Sequence, residues 1–217
     1  SHHWTMYDRV YYVDKVVVSE RFMQRMISML LGQSDEEPEM TEDELLAMVD
    51  SQLAYRLQFA KNPTVCEHYH RYLNGDVPLP AILFQMDPYQ KIHWTPEEPL
   101  VHLPAPDEVF AERMRKPQLL YRLEREIEQT LGLPNLSILA TPAAPKRRFE
   151  PPEILFQTNS GVEHLRDRDP LEWSATLAKA RRHARLYVAT DRKHREKVSN
   201  LDTARIVAEI INRHAQA

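Results

Sequence analysis

The chain has 217 residues, 42% of them apolar and 28% charged, which suits one large domain or two small ones and is unlike the composition of a disordered chain. It holds 16 prolines but only 4 glycines, at positions 32, 75, 132 and 161. Walker-type and dinucleotide-binding loops need glycines close together so that backbone can approach phosphate, and this spacing excludes them. Net charge is −4 but uneven: residues 1–142 carry 13 Lys/Arg against 22 Asp/Glu, and residues 143–217 carry 15 against 10.

A single cysteine, Cys66, rules out an intrachain disulfide and fits a reducing compartment. No apolar run approaches the ~18 residues of a membrane-spanning helix, so no membrane insertion is expected. No secretory signal is evident. The opening at Ser1 rather than Met leaves room for a removed leader such as an organelle transit peptide, for preceding residues, or for residues added at the front.

Tyr7 to Val18 is rich in Tyr and Val and reads as a strand or extended arm. Ser19 is then expected to cap a helix to Leu31, stopped by Gly32, with Phe22, Met23, Met26, Ile27, Leu30 and Leu31 at helical spacing. This Met-rich stripe suits core packing, and also an adaptable partner groove. Residues 34–44 are acidic, and no Lys or Arg occurs from Met26 through Tyr55. Such a stretch serves as a solvated loop with acids at a helix start, or as a dock for a basic partner. Thr41 and Glu44 form a capping-box pattern. One helix is expected to follow, with Leu45, Leu46, Val49, Leu53, Leu57 and Ala60 on one face, ending at Asn62–Pro63.

A shorter helix is predicted from Val65 to Leu73 and a buried strand from Ala81 to Met86. Asp87 to Pro106 holds five prolines and reads as an extended segment lying across a surface. A helix is expected over residues 107–115, and another from Pro117 with Leu119, Leu120, Leu123, Ile127 and Leu131 on one face, ended by Gly132–Leu133–Pro134. Leu136 to Thr141 reads as a strand.

The predicted fold class is α/β (α+β). An acidic, mainly helical region spans 1–142, a basic Pro-rich connector 143–152, and a basic β-α-β-α domain 153–217. In that last unit, strands at Glu153 to Thr158 and Arg185 to Thr190 flank a helix from Asp169–Pro170 to about Ala184. Asp202 caps a final helix bearing Ile206, Val207, Ile210 and Ile211. A right-handed crossover would make the two strands parallel.

No catalytic or cofactor signature is present, so neither an enzyme nor a cofactor is expected. Cys66, His68 and His70, with His93 and His102 further on, offer zinc-compatible atoms, but alternate positions splay over different faces of a helix. Cys66 as a nucleophile is the weakest of the functional readings. The basic set is more informative. Lys146, Arg147 and Arg148 lie in the connector. Lys179, Arg181, Arg182 and Arg185 lead into the second strand, and Arg192, Lys193, Arg195 and Lys197 follow it. Clustered cations suffice for sequence-independent contact with an RNA phosphate backbone. They also suit a solvated face paired with Asp191, Glu196 and Glu172. The paired aromatics of base-stacking modules are missing, so contact with backbone or with protein is expected.

EILFQT, the helix ending LAKARRHA, the strand RLYVAT with its basic tail DRKHRE, and the closing helix resemble the C-terminal domain of translation initiation factor three. That resemblance implies docking on ribosomal RNA. Similar β-α-β-α patterns occur in thioredoxin-like ribosomal proteins. The whole chain also resembles the lineage-specific subunits of protist mitochondrial ribosomes, especially those of kinetoplastids, in its opening without Met, few glycines, Pro-rich extended stretches and helices without a catalytic motif. The reading is a structural, non-catalytic subunit of a mitochondrial ribosome, whose partners are other subunits and the ribosomal RNA backbone. The alternatives are a supernumerary subunit of a respiratory or ATP synthase complex, and a small enzyme using Cys66 and the histidines.

Overall fold

The computed structural model describes residues 14–33, 37–85, 101–104, 116–143, 155–158, 161–174 and 185–216. Among them the chain is α+β. Its helices are α1 (Asp14–Leu30), α2 (Glu42–Ala47), α3 (Asp50–Gln58), α4 (Pro63–Leu73), α5 (Pro117–Leu131), α6 (Leu165–Arg168), α7 (Arg192–Val198) and α8 (Leu201–Gln216). Its strands are β1 (Leu79–Gln85), β2 (Val101–Pro104), β3 (Ile138–Ala143), β4 (Leu155–Thr158), β5 (Gly161–His164) and β6 (Arg185–Thr190). Residues 7–13, 34–36, 107–115, 144–152 and 175–184, on which several sequence expectations fall, lie outside the described residues.

Four strands form a mixed sheet in the order β2-β1-β6-β3. β1 runs parallel to β2, and β6 runs antiparallel to both β1 and β3. Side chains alternate across a strand, so the sheet feeds two cores. Ile82, Phe84, Ile138, Ala140, Leu186 and Val188 pack with α5 and α8. Leu139 and Ala189 pack on the other face with Phe22 and Met26 of α1 and with Leu57, Val65 and Tyr69 of α3 and α4. The result is a sheet between two helical layers.

Four sequence expectations are corrected. α1 begins at Asp14, so Ser19 lies inside the helix rather than at its cap, and residues 14–18 are helical rather than extended. Burial of Val17 and Val18 against the sheet overrides their strand preference. The helix expected from Thr41 to Ala60 is broken. The capping box holds at Thr41, but Met48 and Val49 are extended, and Gln52 then accepts from the Val49 N–H. The last helix is capped by the Asn200 side chain, which accepts from Asp202 N–H, rather than by Asp202. The Pro-rich stretch contains β2, which fits because its proline stands at the strand's end on an edge.

The largest correction concerns the last third. β4 pairs antiparallel with β5 in a two-stranded hairpin, and not with β6, so the expected parallel crossover is not formed. β6 instead lies between β1 and β3 of the acidic region. The division at 143–152 therefore does not separate two cores: α8 and β6 share one with α5, β1 and β3.

Gly32 is required where it stands. It adopts φ +70 after α1, with its N–H on Met29 O and the next N–H on Ser28 O, and a Cβ there would lie 2.9 Å from Pro38 Cβ.

Strand β3 is an edge of the sheet among the described residues, and two carboxylates close it. Glu124 of α5 accepts the Ala140 N–H at 2.9 Å, and Glu128, one turn on, accepts the Ile138 N–H at 3.2 Å. These oxygens occupy backbone donors that a further strand would otherwise take. From the opposite layer Arg21 grips Glu124 with Nε and Nη2, both at 2.8 Å, and Arg25 Nη1 donates to the same carboxylate. Arg25 stacks over the Tyr121 ring at 4.2 Å and lies 3.8 Å from Glu128, which also accepts from Arg125 at 3.1 Å. All four of Arg21, Arg25, Glu124 and Glu128 are buried. Burying charges costs several kcal/mol per ion unless each is paired and hydrogen-bonded; Arg21 and Glu124 clasp the two layers in that way across the sheet edge, whereas Nε and Nη2 of Arg25 make no hydrogen bond among the described residues.

Burial pushes the Glu128 carboxyl up to about 7, and Glu124 adds to the rise; the Arg25 charge, the Ile138 N–H and Arg125 oppose it. Between pH 4.5 and 7 the folded chain then holds a proton that the unfolded chain has released, so stability falls as pH rises through that window and levels above it. A rise of this size corresponds to about 3 kcal/mol. Urea midpoints at pH 5 and pH 8 should show that decline for the natural chain and a flatter profile for Glu128→Gln, which keeps an acceptor for Ile138. Identical profiles would rule the shift out.

Candidate partner-contacting surface

The predicted cations divide sharply. Lys146, Arg147, Arg148, Lys179, Arg181 and Arg182 lie outside the described residues. Arg185, Arg192, Lys193, Arg195 and Lys197 are described, but not as one cluster. β6 is a central strand, buried from Leu186 onward. Arg185 opens it and Arg192 follows its far end, roughly 20 Å away at the rise of a strand. The two ends of this strand thus present their cations at opposite ends of the sheet. Arg185 is half-buried, and its Nε makes no hydrogen bond among the described residues.

The basic tail is itself a helix, α7, which the sequence reading left without an element. Val198 anchors it in the core beneath. Two of its cations hold it in place. Arg195 Nε donates to Pro80 O of β1 at 3.0 Å, and Lys197 Nζ donates to Leu131 O at the end of α5 at 2.6 Å. A cation at that helix end also suits the helix dipole. Arg192 and Lys193 are exposed on the outer face. Between them and Lys197, His194 is held below its usual range, by burial first and then by the lysines.

Asp191 does not neutralise this tail. Its carboxylate is buried and accepts two bonds from Arg71 of α4, at 2.6 and 3.2 Å. Arg71 also binds Asp76 at 2.8 Å. The cation that answers Asp191 thus comes from the acidic region, which leaves the outward charge of Arg192 and Lys193 in place.

A second element presents both charge and apolar surface. The β4–β5 hairpin exposes Leu155, Phe156 and Val162, with Arg168 of α6 stacked 5.2 Å over the Phe156 ring. A two-stranded hairpin is marginal alone. Its sequence signal is the Asn-Ser-Gly run at positions 159–161 between two short strand-like runs, a hairpin pattern that competes with the expected crossover.

The cysteine and histidines of α4 are separated. The Cys66 thiol donates to Gln58 O at 3.1 Å, and His68 Nδ1 donates to Thr64 O at 2.7 Å with its ring against Phe22, while His70 is exposed. Burial holds His68 below its usual range, the Thr64 carbonyl opposing. Among the described residues no three metal-ligating side chains gather. No helix there is long and apolar enough to cross a membrane.

The chain matches no known protein family, no curated protein and no solved structure.

The buried clasp escaped the sequence reading, although its signal was there. Glu124 and Glu128 stand four apart within the apolar stripe of α5, and Arg21 and Arg25 stand four apart beside Phe22 and Met26. Two such pairs of opposite sign, each on a core-facing helix surface, point to one another.

Proposed function

We propose that the chain is a structural, non-catalytic subunit of a large ribonucleoprotein assembly, with a mitochondrial ribosome as the leading candidate. The supporting observation is the outer face of α7. Its fold-holding cations point to backbone carbonyls, and Arg192 and Lys193 remain outward with no acid of the described residues paired to them. Outward cations on a rigid support suit contact with RNA phosphates. The partners are other subunits and ribosomal RNA backbone.

Sedimentation of native lysate with and without RNase tests this. The chain is expected to co-migrate with a large particle that RNase disperses. The double variant Arg192→Glu/Lys193→Glu should fold normally and release from the particle at lower salt than the natural chain, because fewer counterions are displaced. RNase-resistant co-migration would favour a protein-only or membrane complex, such as a respiratory or ATP synthase assembly. Migration as a free chain would overturn the subunit reading.

A further inference from the structure

We propose that Asn74–Gly75 is a site of spontaneous deamidation by water, held shut by the folded last turn of α4, so that its conversion records the opening of that turn. Asn74 is the one asparagine in the chain followed by glycine. With no Cβ, glycine leaves its own nitrogen free to approach the side chain before it. Both residues are exposed, and nothing lies within 4 Å of where a Gly75 Cβ would stand. The glycine is imposed by the helix end. Gly75 adopts φ +71, its N–H donates to Tyr72 O at 3.0 Å, and the Asp76 N–H donates to Arg71 O at 2.9 Å.

The reaction is an internal substitution that needs only water. The Gly75 nitrogen loses its proton and attacks Cγ of Asn74. The bond from Cγ to the side-chain nitrogen breaks, and ammonia leaves with that proton. Water then opens the five-membered imide at either carbonyl, giving aspartate or isoaspartate. The folded turn blocks the first step twice. Ring closure requires Cβ of Asn74 and the nitrogen of Gly75 to eclipse about the Cα–C bond. Asn74 has ψ 2, so its own nitrogen takes the eclipsed position and Cβ is turned away. The Gly75 nitrogen also holds its proton in the bond to Tyr72 O. Both obstacles vanish together when the last turn of α4 opens. The chemistry is slow against such opening, so its rate follows the open population.

Arg71 opposes that opening. Its guanidinium binds Asp76 just past the turn and the buried Asp191 after β6. Conversion at residue 74 thus reads how firmly α4 is tied to the sheet, and it feeds back on that tie. Either product places a negative charge at the helix C-terminus, where the dipole disfavours it. Isoaspartate also adds one carbon to the main chain between Arg71 and Asp76.

The test follows residue 74 in the purified full chain at mildly alkaline pH by peptide mass spectrometry, with electron-transfer fragmentation to separate isoaspartate from aspartate. Conversion is expected in urea, and at least tenfold more slowly in the folded chain. Arg71→Ala should speed conversion several-fold in the folded chain and leave the rate in urea unchanged. If circular dichroism shows that variant unfolded, Asp76→Ala, at an exposed position, cuts the outer half of the same pairing and should act in the same direction. Equal rates for the folded and the urea-treated chain would overturn the protection. Absence of conversion in urea would overturn the site itself, and a folded rate indifferent to both variants would overturn the tie to Arg71.

Discussion

Glu124→Ala is expected to unfold the chain or to cost about 3–5 kcal/mol, the range for breaking a buried ion pair by removing one partner. The variant leaves the buried Arg21 and Arg25 without their shared carboxylate, and the Ala140 N–H without an acceptor. Glu124→Gln separates these effects. It retains an oxygen for Ala140 and one neutral bond to Arg21, so its cost should be smaller while still exceeding 1 kcal/mol, since bonds to charged groups are the stronger ones. Replacing Arg25 with Met should be milder than either, because Arg21 still pairs with Glu124. Chemical denaturation of the three variants gives the order. A Glu124→Ala chain as stable as the natural one would mean that the clasp contributes nothing.

Leu57→Ala should cost about 2–5 kcal/mol, and Leu46→Ala no more than about 0.5 kcal/mol. Leu57 is 1% exposed and packs with α1 and α4, whereas Leu46 is 84% exposed. A continuous helix would put both on one face and predict similar losses. The break at Met48–Val49 turns α2 relative to α3 and parts them. Thermal melts of both variants distinguish the two arrangements, and equal shifts would restore the single helix.

How far the sequence carried the fold follows from the range of each interaction. α5 was legible from end to end. Pro117 opens it, five leucines and isoleucines repeat along one face, and Gly132 in the left-handed conformation closes it. The Thr41–Glu44 box was legible for the same reason, since both partners lie within one turn. The strands β1, β3 and β6 were placed to within a few residues because short apolar runs bounded by turn residues announce themselves. Their pairing was not, because register and neighbours are set by partners about 40 to 110 residues away. The interruption at Met48–Val49 has no proline or glycine to mark it. Of the candidate surface, the cations Arg192 and Lys193 were legible as charge. That Arg195 and Lys197 hold α7 in place depends on Pro80 and Leu131, which the local sequence does not bring near.

The position of β6 has a consequence for how the chain is made. It is the last strand to be synthesised, and it is the middle of the sheet. β3 ends at Ala143 and β6 begins at Arg185, so at roughly 5–20 residues per second a few seconds pass between them. During that interval β1 and β3 have been translated, and the strand that joins them has not. The nascent chain must carry two apolar strands without their shared neighbour until its C-terminal third emerges. Folding is therefore completed after synthesis rather than alongside it, and non-local pairing of this kind closes slowly. A chain stopped before Arg185 should not fold as a smaller version of this protein; it would remain a client of chaperones.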